Sequence, residues 1–250
     1  MRLTYVPLLR QARDLYNRPR DYKRFEAYLR WTLDLEKERV KLPTLMMNPM
    51  AREHVAEYLD ALLALDAEGV AERSMREALP LVADVPGSYR VALVVADDLK
   101  GGWTNRYACE HALRACTVPP RCLADFDWLG VTLWVSDPPS AEAVRREVLT
   151  ILHRAAHLHR QGYPRTLRDV MAQEGRVLAL AGCTTPALDA EDLEYTRRVL
   201  EPFLDATDMR TMIECLFGDA AARTLGFSPM GLSHRAGLAL ALHDARRVCC

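Results

Sequence analysis

Two histidines spaced four residues apart, followed by an isolated acid, constrain this chain more than any other feature. His153 and His157 lie in a segment whose apolar residues recur with helical spacing, and a second helical segment carries Glu174 followed directly by Gly175. Residues at positions i and i+4 share one face of a helix. The sequence therefore predicts a pair of helices, the first with two imidazoles on one face and the second with a carboxylate.

This combination of side chains is typical of a zinc site. Zinc binds imidazole nitrogen and carboxylate oxygen, and a hydrolytic zinc keeps three protein ligands and one open position. The spacing predicts that His153, His157 and Glu174 hold a zinc ion if the second helix folds back onto the first. The alternative is a half-buried helix face whose histidines are satisfied by hydrogen bonds, with Glu174 as a surface carboxylate paired with Arg168 or Arg176.

The net charge and the lack of a long apolar run argue against binding to nucleic acid and against insertion into a membrane. The 250 residues carry a formal net charge of −1, so no overall field favours nucleic acid or an anionic membrane. No apolar run approaches the roughly 18–20 residues that span a bilayer, and the first residues lack the features of a signal peptide. We expect a cytoplasmic protein. Its seven scattered cysteines are expected to be mostly free thiols, because the cytoplasm is a reducing compartment. The spacing of Cys109, His111, Cys116 and Cys122 matches no closed structural zinc site.

The order of apolar patterns predicts an α+β fold that is mainly helical, with a small central sheet. Buried strands are expected over residues 89–96 and 129–136, where apolar and β-branched residues run together. The sequence suggests a helical N-terminal part, residues 1–88, and a second part, residues 89–250. Helices are expected over residues 5–33 with a break near Pro19, then 54–66, 68–81, 140–160, from Thr166 onward, 189–204, 208–217, 218–225 and 234–247.

A polar segment between the two strands, residues 97–111, is dense in functional groups. It contains Asp97, Asp98, Lys100 and Arg106 around a glycine pair, and the sequence predicts a loop. Such a loop can hold a polar ligand or form the rim of a cleft. The alternative is a turn with solvated charges. It is not a phosphate-binding P-loop, because the required glycine-lysine spacing is missing.

Several short motifs, in their shared order, resemble a gluzincin-type family of bacterial zinc proteases that carries H-E-x-x-H and a downstream Glu-Gly pair. The resemblance covers roughly residues 89–246. The motifs are a Gly-Gly-Trp-Thr segment at 101–104, the strand at 129–136, the helix with His153 and His157, a Gly-Tyr turn at 162–163, Glu174-Gly175, and tail segments at 216–219, 229–231 and 235–237.

The resemblance implies a zincin-like fold with a paired-helix core, in which His153, His157 and Glu174 are the zinc ligands. It also implies that the strand at residues 131–136 borders a cleft, where an extended peptide or protein segment pairs with it. His234 in the tail is a candidate for stabilising a developing oxyanion.

One residue departs from the family pattern at the centre of its chemistry. Arg154 stands where H-E-x-x-H has the glutamate that takes a proton from zinc-bound water, and arginine cannot accept a proton near neutral pH. Losing a general base typically lowers the rate by about 10²–10⁴. The family's tail aromatic is also replaced, by Leu232. Peptidase activity is therefore expected to be weak, altered or lost, with Glu110 or Asp98 as candidate substitute bases.

The alternative is a non-enzymatic interaction or ligand-binding protein that uses the cleft near residues 97–111 without metal.

Overall fold

The computed structural model describes residues 1–37, 39–99, 104–115 and 127–248. The fold is α+β and mainly helical, with a three-stranded parallel sheet and a two-stranded hairpin. The predicted fold class and the small sheet are thereby confirmed. Within the described residues, no helix is both long and apolar enough to cross a bilayer.

The elements are numbered here in chain order over the described residues. The strands are β1 (Arg2–Tyr5), β2 (Leu33–Asp34), β3 (Arg39–Val40), β4 (Ser88–Ala96) and β5 (Trp128–Trp134). The helices are α1 (Leu9–Leu15), α2 (Tyr22–Thr32), α3 (Glu53–Ala64), α4 (Ala67–Ala78), α5 (Arg106–Ala115), α6 (Ala141–Gln161), α7 (Leu167–Leu180), α8 (Ala190–Leu200), α9 (Met209–Phe217), α10 (Asp219–Thr224) and α11 (Ala236–Val248). Single 3₁₀ turns follow α4 at Leu79–Leu81 and α8 at Glu201–Phe203.

The parallel sheet is built around β4, which lies between β1 and β5. Residues 91–96 of β4 are all buried, as expected for the continuous apolar run of a central parallel strand. The predicted strands at 89–96 and 129–136 are confirmed within one or two residues. Because all three strands run in the same direction, their carboxyl ends lie at one edge of the sheet, and Asp97 follows β4 at that edge.

The N-terminal segment differs from its prediction in one respect. Residues 2–5 form β1, which pairs with the start of β4 and was not predicted from the sequence. The predicted break near Pro19 is confirmed, and Asp21 precedes the first residue of the helix that follows it. The Asp21 carboxylate accepts hydrogen bonds from the backbone N–H groups of Lys23 and Arg24, which caps α2.

The segment at residues 97–111 is only partly the predicted loop. Helix α5 begins at Arg106 and runs to Ala115, and it buries Glu110, His111 and Ala115 on one face. The polar character of this segment concealed the helix, because its buried face includes a glutamate and a histidine rather than an apolar stripe.

Contacts along the chain define two compact units. The first comprises Met1–Arg106 and Leu123–Leu152 and contains the parallel sheet. The second comprises Tyr107–Cys122 and His153–Cys250, and its described part is helical, with a core that includes the fully buried Phe217. The boundary falls inside α6, after Leu152. The domain division near residue 88 stays a prediction.

Candidate functional site

The two helices that carry the predicted ligands begin where the sequence predicts. The backbone N–H of Ala143 donates to Ser140 Oγ at 3.1 Å, which caps α6. Helix α7 has a reciprocal cap: the N–H of Asp169 donates to Thr166 Oγ1 at 3.2 Å, and the N–H of Thr166 donates to the Asp169 carboxylate at 3.0 Å. The predicted starts of both helices are confirmed.

Glu174, on α7, is fully buried and is held by guanidinium groups. Arg154 donates from Nε to Oε1 at 2.7 Å and from Nη2 to Oε2 at 2.8 Å, which is a bidentate ion pair. Gln173 Nε2 donates to Oε1 at 3.1 Å, and Arg114 Nε forms a charge contact with Oε2 at 3.0 Å. Both carboxylate oxygens therefore face cations or amide donors.

The sequence alternative for Glu174, a surface carboxylate paired with Arg168 or Arg176, is wrong. The carboxylate is buried with an exposed fraction of 0%, and the Arg168 guanidinium instead contacts Asp205 at 3.3 Å. Arg154 reaches Glu174 because consecutive helical residues point about 100° apart. The residue after His153 thus leaves α6 in a different direction from the two histidines.

The ion pairs set the charge state of Glu174. Burial alone would raise the pKa of this carboxyl, but the charge and hydrogen bonds of Arg154, together with Arg114 and Gln173, lower its pKa to about 2. Glu174 is therefore an anion across the neutral pH range.

The contacts of Glu174 continue into a larger group, here called the arginine–glutamate cluster: Arg114, Arg154, Arg235, Glu110 and Glu174. Arg235 donates to both oxygens of Glu110 at 2.8 and 2.7 Å, and Arg114 lies 3.0 Å from Glu110 Oε2. The guanidinium carbons of Arg114 and Arg235 each lie 5.6 Å from the centre of the Phe217 ring. The cluster joins three cationic and two anionic side chains.

The residues at the predicted zinc position do not fit a zinc ion. A zinc ligand must offer a free lone pair, whereas both oxygens of Glu174 are engaged by Arg154, and Arg114 adds a second nearby positive charge. In the described part of the chain, no three or more His, Cys, Asp or Glu side chains are grouped so that they could hold a metal ion. The zinc hypothesis stays a prediction, without support from this geometry.

The histidine pair lines a small cavity of about 30 Å³ together with Arg160, Gln161 and Arg176. The two imidazoles thus share a face of α6, as predicted. Burial lowers the pKa of both histidines; Arg160 adds to this at His153, and Arg176 does so at His157. Both rings are therefore neutral at neutral pH. His153 Nε2 is buried and has no hydrogen-bond partner among the described residues.

The other candidate catalytic residues lie in different surroundings. Glu110 belongs to the arginine–glutamate cluster, and its oxygens are bound by Arg235 and Arg114. Asp98 accepts hydrogen bonds from the N–H and the hydroxyl of Ser136, at 3.1 and 2.6 Å. His234 is exposed in the segment before α11. Glu110 and His234 belong to the second unit and Asp98 to the first.

Arg106 connects two strand ends of the first unit. Its guanidinium donates to both carboxylate oxygens of Asp137 at 2.8 Å and lies 5.3 Å from the Trp134 ring centre. This arrangement gives Arg106, one of the functional groups of the predicted loop, a structural role beside the ends of β4 and β5. The glycine pair and Lys100 of that loop lie outside the described residues.

Strand β5, which the resemblance places beside a peptide-binding cleft, forms one edge of the described sheet. Its residues 131–134 are buried. Pairing of a peptide with this strand stays a prediction.

Three of the cysteines are free thiols, in agreement with the expectation from the sequence. These are Cys109, Cys183 and Cys215. Burial raises the pKa of the Cys215 thiol to about 12, so this sulfur is an unreactive part of the core. The remaining cysteines lie outside the described residues.

A polar site at the carboxyl end of β4 includes residues that no sequence pattern indicated. Asp97 has an exposed fraction of 1%, and its Oδ2 accepts a hydrogen bond from Asn48 Nδ2 at 2.8 Å. His54 Nε2 lies 3.1 Å from Asp97 Oδ1, and the N–H of Leu99 donates to the same oxygen at 3.1 Å. The position of Asp97 after a buried strand was a usable signal. Nothing in the sequence linked it to Asn48 or His54.

These residues border an open cavity of about 450 Å³, here called the Asp97 cavity, which is within the size range of small-molecule sites. Its lining residues are Arg20, Asn48, Met50, Ala51, Arg52, His54 and Asp97. The lining combines guanidinium, imidazole and amide groups with one carboxylate.

Neither a protein-family model, nor a curated protein, nor a solved structure matches this chain.

Proposed function

We propose that this chain is a zincin-like protein that has lost peptidase chemistry and works without metal as a ligand-binding protein. The observation that supports this most directly is the bidentate ion pair between Arg154 and Glu174. In the family that the sequence resembles, these two positions supply the general base and a zinc ligand. Here the two side chains form an ion pair with each other, so neither is available for metal-dependent hydrolysis.

Metal binding would have to break a buried ion pair. Arginine stays protonated at any pH that the folded protein experiences, so Arg154 supplies a permanent positive charge against Glu174. Taking one partner away from a buried pair typically costs about 3–5 kcal/mol, which opposes transfer of Glu174 to a zinc ion. His153 and His157 alone give two ligands, whereas a hydrolytic zinc site uses three.

The candidate substitute bases also form ion pairs or hydrogen bonds with neighbouring side chains. Glu110 is held by Arg235 and Arg114, and Asp98 is held by Ser136. A general base must have a free lone pair within reach of the proton that it removes. The hypothesis of a weak or altered peptidase therefore has less support than a binding function, for which the Asp97 cavity offers room and polar groups near the start of the 97–111 segment.

The metal content of the purified protein tests this proposal. The protein should be prepared without a histidine tag, exposed to micromolar zinc, desalted and analysed by inductively coupled plasma mass spectrometry. We expect far less than one zinc per chain. One zinc per chain, absent from the His153→Ala/His157→Ala double variant, would contradict the proposal.

A second arm examines the role of Arg154. Replacement of Arg154 by methionine leaves Glu174 without its bidentate partner, so we expect zinc uptake to increase in this variant. The matched control is Arg160→Met, which removes an exposed arginine from the same helix beside the same histidine pair. Equal zinc uptake by the two variants would show that the Arg154–Glu174 pair does not exclude the metal.

A further inference from the structure

We propose that the Asp97 cavity binds a small organic anion that also carries a hydroxyl group, as a carboxylate or a phosphate ester. The inference names the ligand class for the proposed binding function and rests on that function. It is separate from the metal question, because the Asp97 cavity lies in the first unit and Glu174 lies in the second.

The position of the cavity in the fold favours ligand binding. In sheets of parallel strands, ligands commonly bind beyond the carboxyl ends of the strands, where side chains from the following loops converge. Asp97 directly follows the central strand β4. Asn48, Arg52 and His54 come from one short segment that leads into α3, so a single stretch of chain supplies much of the lining.

The charges around the cavity favour an anion. Arg20 and Arg52 both line it and are exposed to solvent. Arg20 Nε donates to the carbonyl oxygen of Met50 at 2.6 Å, which fixes the orientation of its guanidinium plane. The Arg52 guanidinium has no hydrogen bond or ion pair with any described residue. Two guanidinium groups bind carboxylate or phosphate oxygens through short charge-assisted hydrogen bonds.

The single carboxylate of the lining does not cancel this preference. Asp97 already accepts hydrogen bonds from Asn48 and from the N–H of Leu99, and His54 contacts it at 3.1 Å. Its oxygens are therefore turned toward protein donors, and its role is to position His54 and Asn48. A ligand that enters the cavity meets the two arginines as the remaining charged groups of the lining.

His54 supplies the reason for a hydroxyl group on the ligand. When His54 Nε2–H donates to Asp97, Nδ1 carries a lone pair and acts as an acceptor. Nδ1 is buried and has no partner among the residues that the structure describes. An unsatisfied buried acceptor is costly, and a ligand hydroxyl group would satisfy it.

Isothermal titration calorimetry with defined probes tests this inference. The probes are glycerol phosphate, glycerate and glycerol, each titrated into the full chain at constant ionic strength. We expect one saturable site per chain for at least one of the two anions, and none for glycerol. The stronger of the two anions identifies the ligand as a phosphate ester or a carboxylate. Saturable binding of neither anion would overturn the proposal.

Variants place the binding in the Asp97 cavity. Arg20→Gln and Arg52→Gln should each weaken anion binding about tenfold or more, because each removes a charged hydrogen-bond donor. The control is Arg10→Gln, which changes an exposed arginine of α1 and should leave binding unchanged. Binding that is unaffected in both cavity variants would place the anion elsewhere and overturn the assignment.

The role of His54 has its own readout. The intact protein should prefer glycerol phosphate to propyl phosphate, which lacks hydroxyl groups, and His54→Phe should remove this preference while retaining anion binding. Equal affinity of the intact protein for the two esters would overturn the hydroxyl part of the proposal. A circular dichroism spectrum confirms that each variant is folded before titration. Zinc content has no bearing on any of these outcomes, so failure here is distinguishable from failure of the proposed metal-free state.

Discussion

At the scale of single residues, Glu174 illustrates what a buried charge requires. An isolated carboxylate in a protein interior would take up a proton, because burial raises its pKa. Arg154 reverses this effect with two short hydrogen bonds, and Arg114 adds a second positive charge at 3.0 Å. Attraction to two cations therefore outweighs the loss of hydration, and the carboxyl pKa falls to about 2.

Removal of Arg154 should be strongly destabilising. Arg154→Met leaves Glu174 buried without its main partner, and we expect the free energy of unfolding to fall by about 3–5 kcal/mol. The double variant Arg154→Met/Glu174→Leu removes both charges and should recover a large part of this loss. Urea unfolding followed by far-ultraviolet circular dichroism measures both values.

The control for this prediction is Arg176→Met, which removes an exposed arginine from α7. Exposed substitutions of this kind usually change stability by no more than about 0.5 kcal/mol. If Arg154→Met were as mild as Arg176→Met, the ion pair would not stabilise the second unit.

The sequence identified the acid and the departure from the family motif, but not the contact between them. Glu174 and Arg154 were singled out separately, and the ion pair joins them across 20 positions. The direction of a side chain from a helix, and hence its partner, depends on how α6 and α7 pack. The pair of His54 and Asp97 was missed for the same reason, since 43 positions separate its members.

At the scale of elements, the close packing of two helices explains why a glycine follows Glu174. A Cβ atom on Gly175 would lie 2.3 Å from the carbonyl oxygen of Ala241, so α7 and α11 approach each other more closely than any side chain allows. Gly237 shows the same effect, because its Cβ would lie 2.4 Å from the carbonyl oxygen of Cys215. Two motif glycines thus permit close contact between backbones.

Gly175→Ala should therefore destabilise the second unit. Alanine is the better helix former by about 1 kcal/mol, but the clash with a backbone oxygen forces α7 and α11 apart, and overpacking of this kind costs about 1–3 kcal/mol. Because the clash outweighs the gain in helix propensity, we expect a fall in the melting temperature measured by differential scanning calorimetry.

Gly69→Ala is the matched control. It makes the same substitution inside α4, where the three atoms nearest the new Cβ all belong to the Asp66 carboxyl group, the end of a side chain that can move away. This variant should be neutral or slightly stabilised. If the two variants had the same melting temperature relative to the unmodified chain, the helices α7 and α11 could separate without cost, which would contradict the prediction.

Elements with a clear periodicity or a good cap were predictable, and short or polar ones were not. Ser140 and Thr166 marked the starts of α6 and α7, and the apolar run of β4 marked the central strand. Strand β1 has only four residues and pairs with residues 86 positions away, so no local pattern indicates it. Helix α5 was hidden because its buried face carries Glu110 and His111.

At the scale of the whole molecule, the groups that respond to acid are concentrated in the second unit. Burial lowers the pKa of His111, His153 and His157, and ion pairing lowers that of Glu174. All four belong to the second unit. In the first unit, the carboxyl groups with lowered pKa are exposed ones such as Asp60, where solvent screening limits the effect on stability.

The sign of the pH dependence follows from these shifts. A histidine whose folded pKa is lowered binds fewer protons than in the unfolded chain, so stability falls as the pH drops below the unfolded value of about 6.5. In the folded state the Glu174 carboxyl stays ionised until the pH falls to about 2, whereas in the unfolded chain it takes up a proton near pH 4.3. Its contribution is complete well above pH 4.3, is lost as the pH falls toward 2, and should decrease by roughly 1–2 kcal/mol between pH 5 and pH 3.

The second unit should therefore unfold before the first as the pH is lowered, and the chain contains its own reporters for the difference. The described tryptophans, Trp31, Trp128 and Trp134, all fall in the first unit, while the described part of the second unit is helical. In an acid titration from pH 7 to pH 3, the circular dichroism signal at 222 nm should begin to decrease at a higher pH than the shift in tryptophan emission.

Glu174→Gln abolishes the carboxyl titration, so the stability of this variant relative to the unmodified chain should improve as the pH falls from 5 to 3. Coincident transitions in both signals would mean that the acid-sensitive groups act on the whole chain at once.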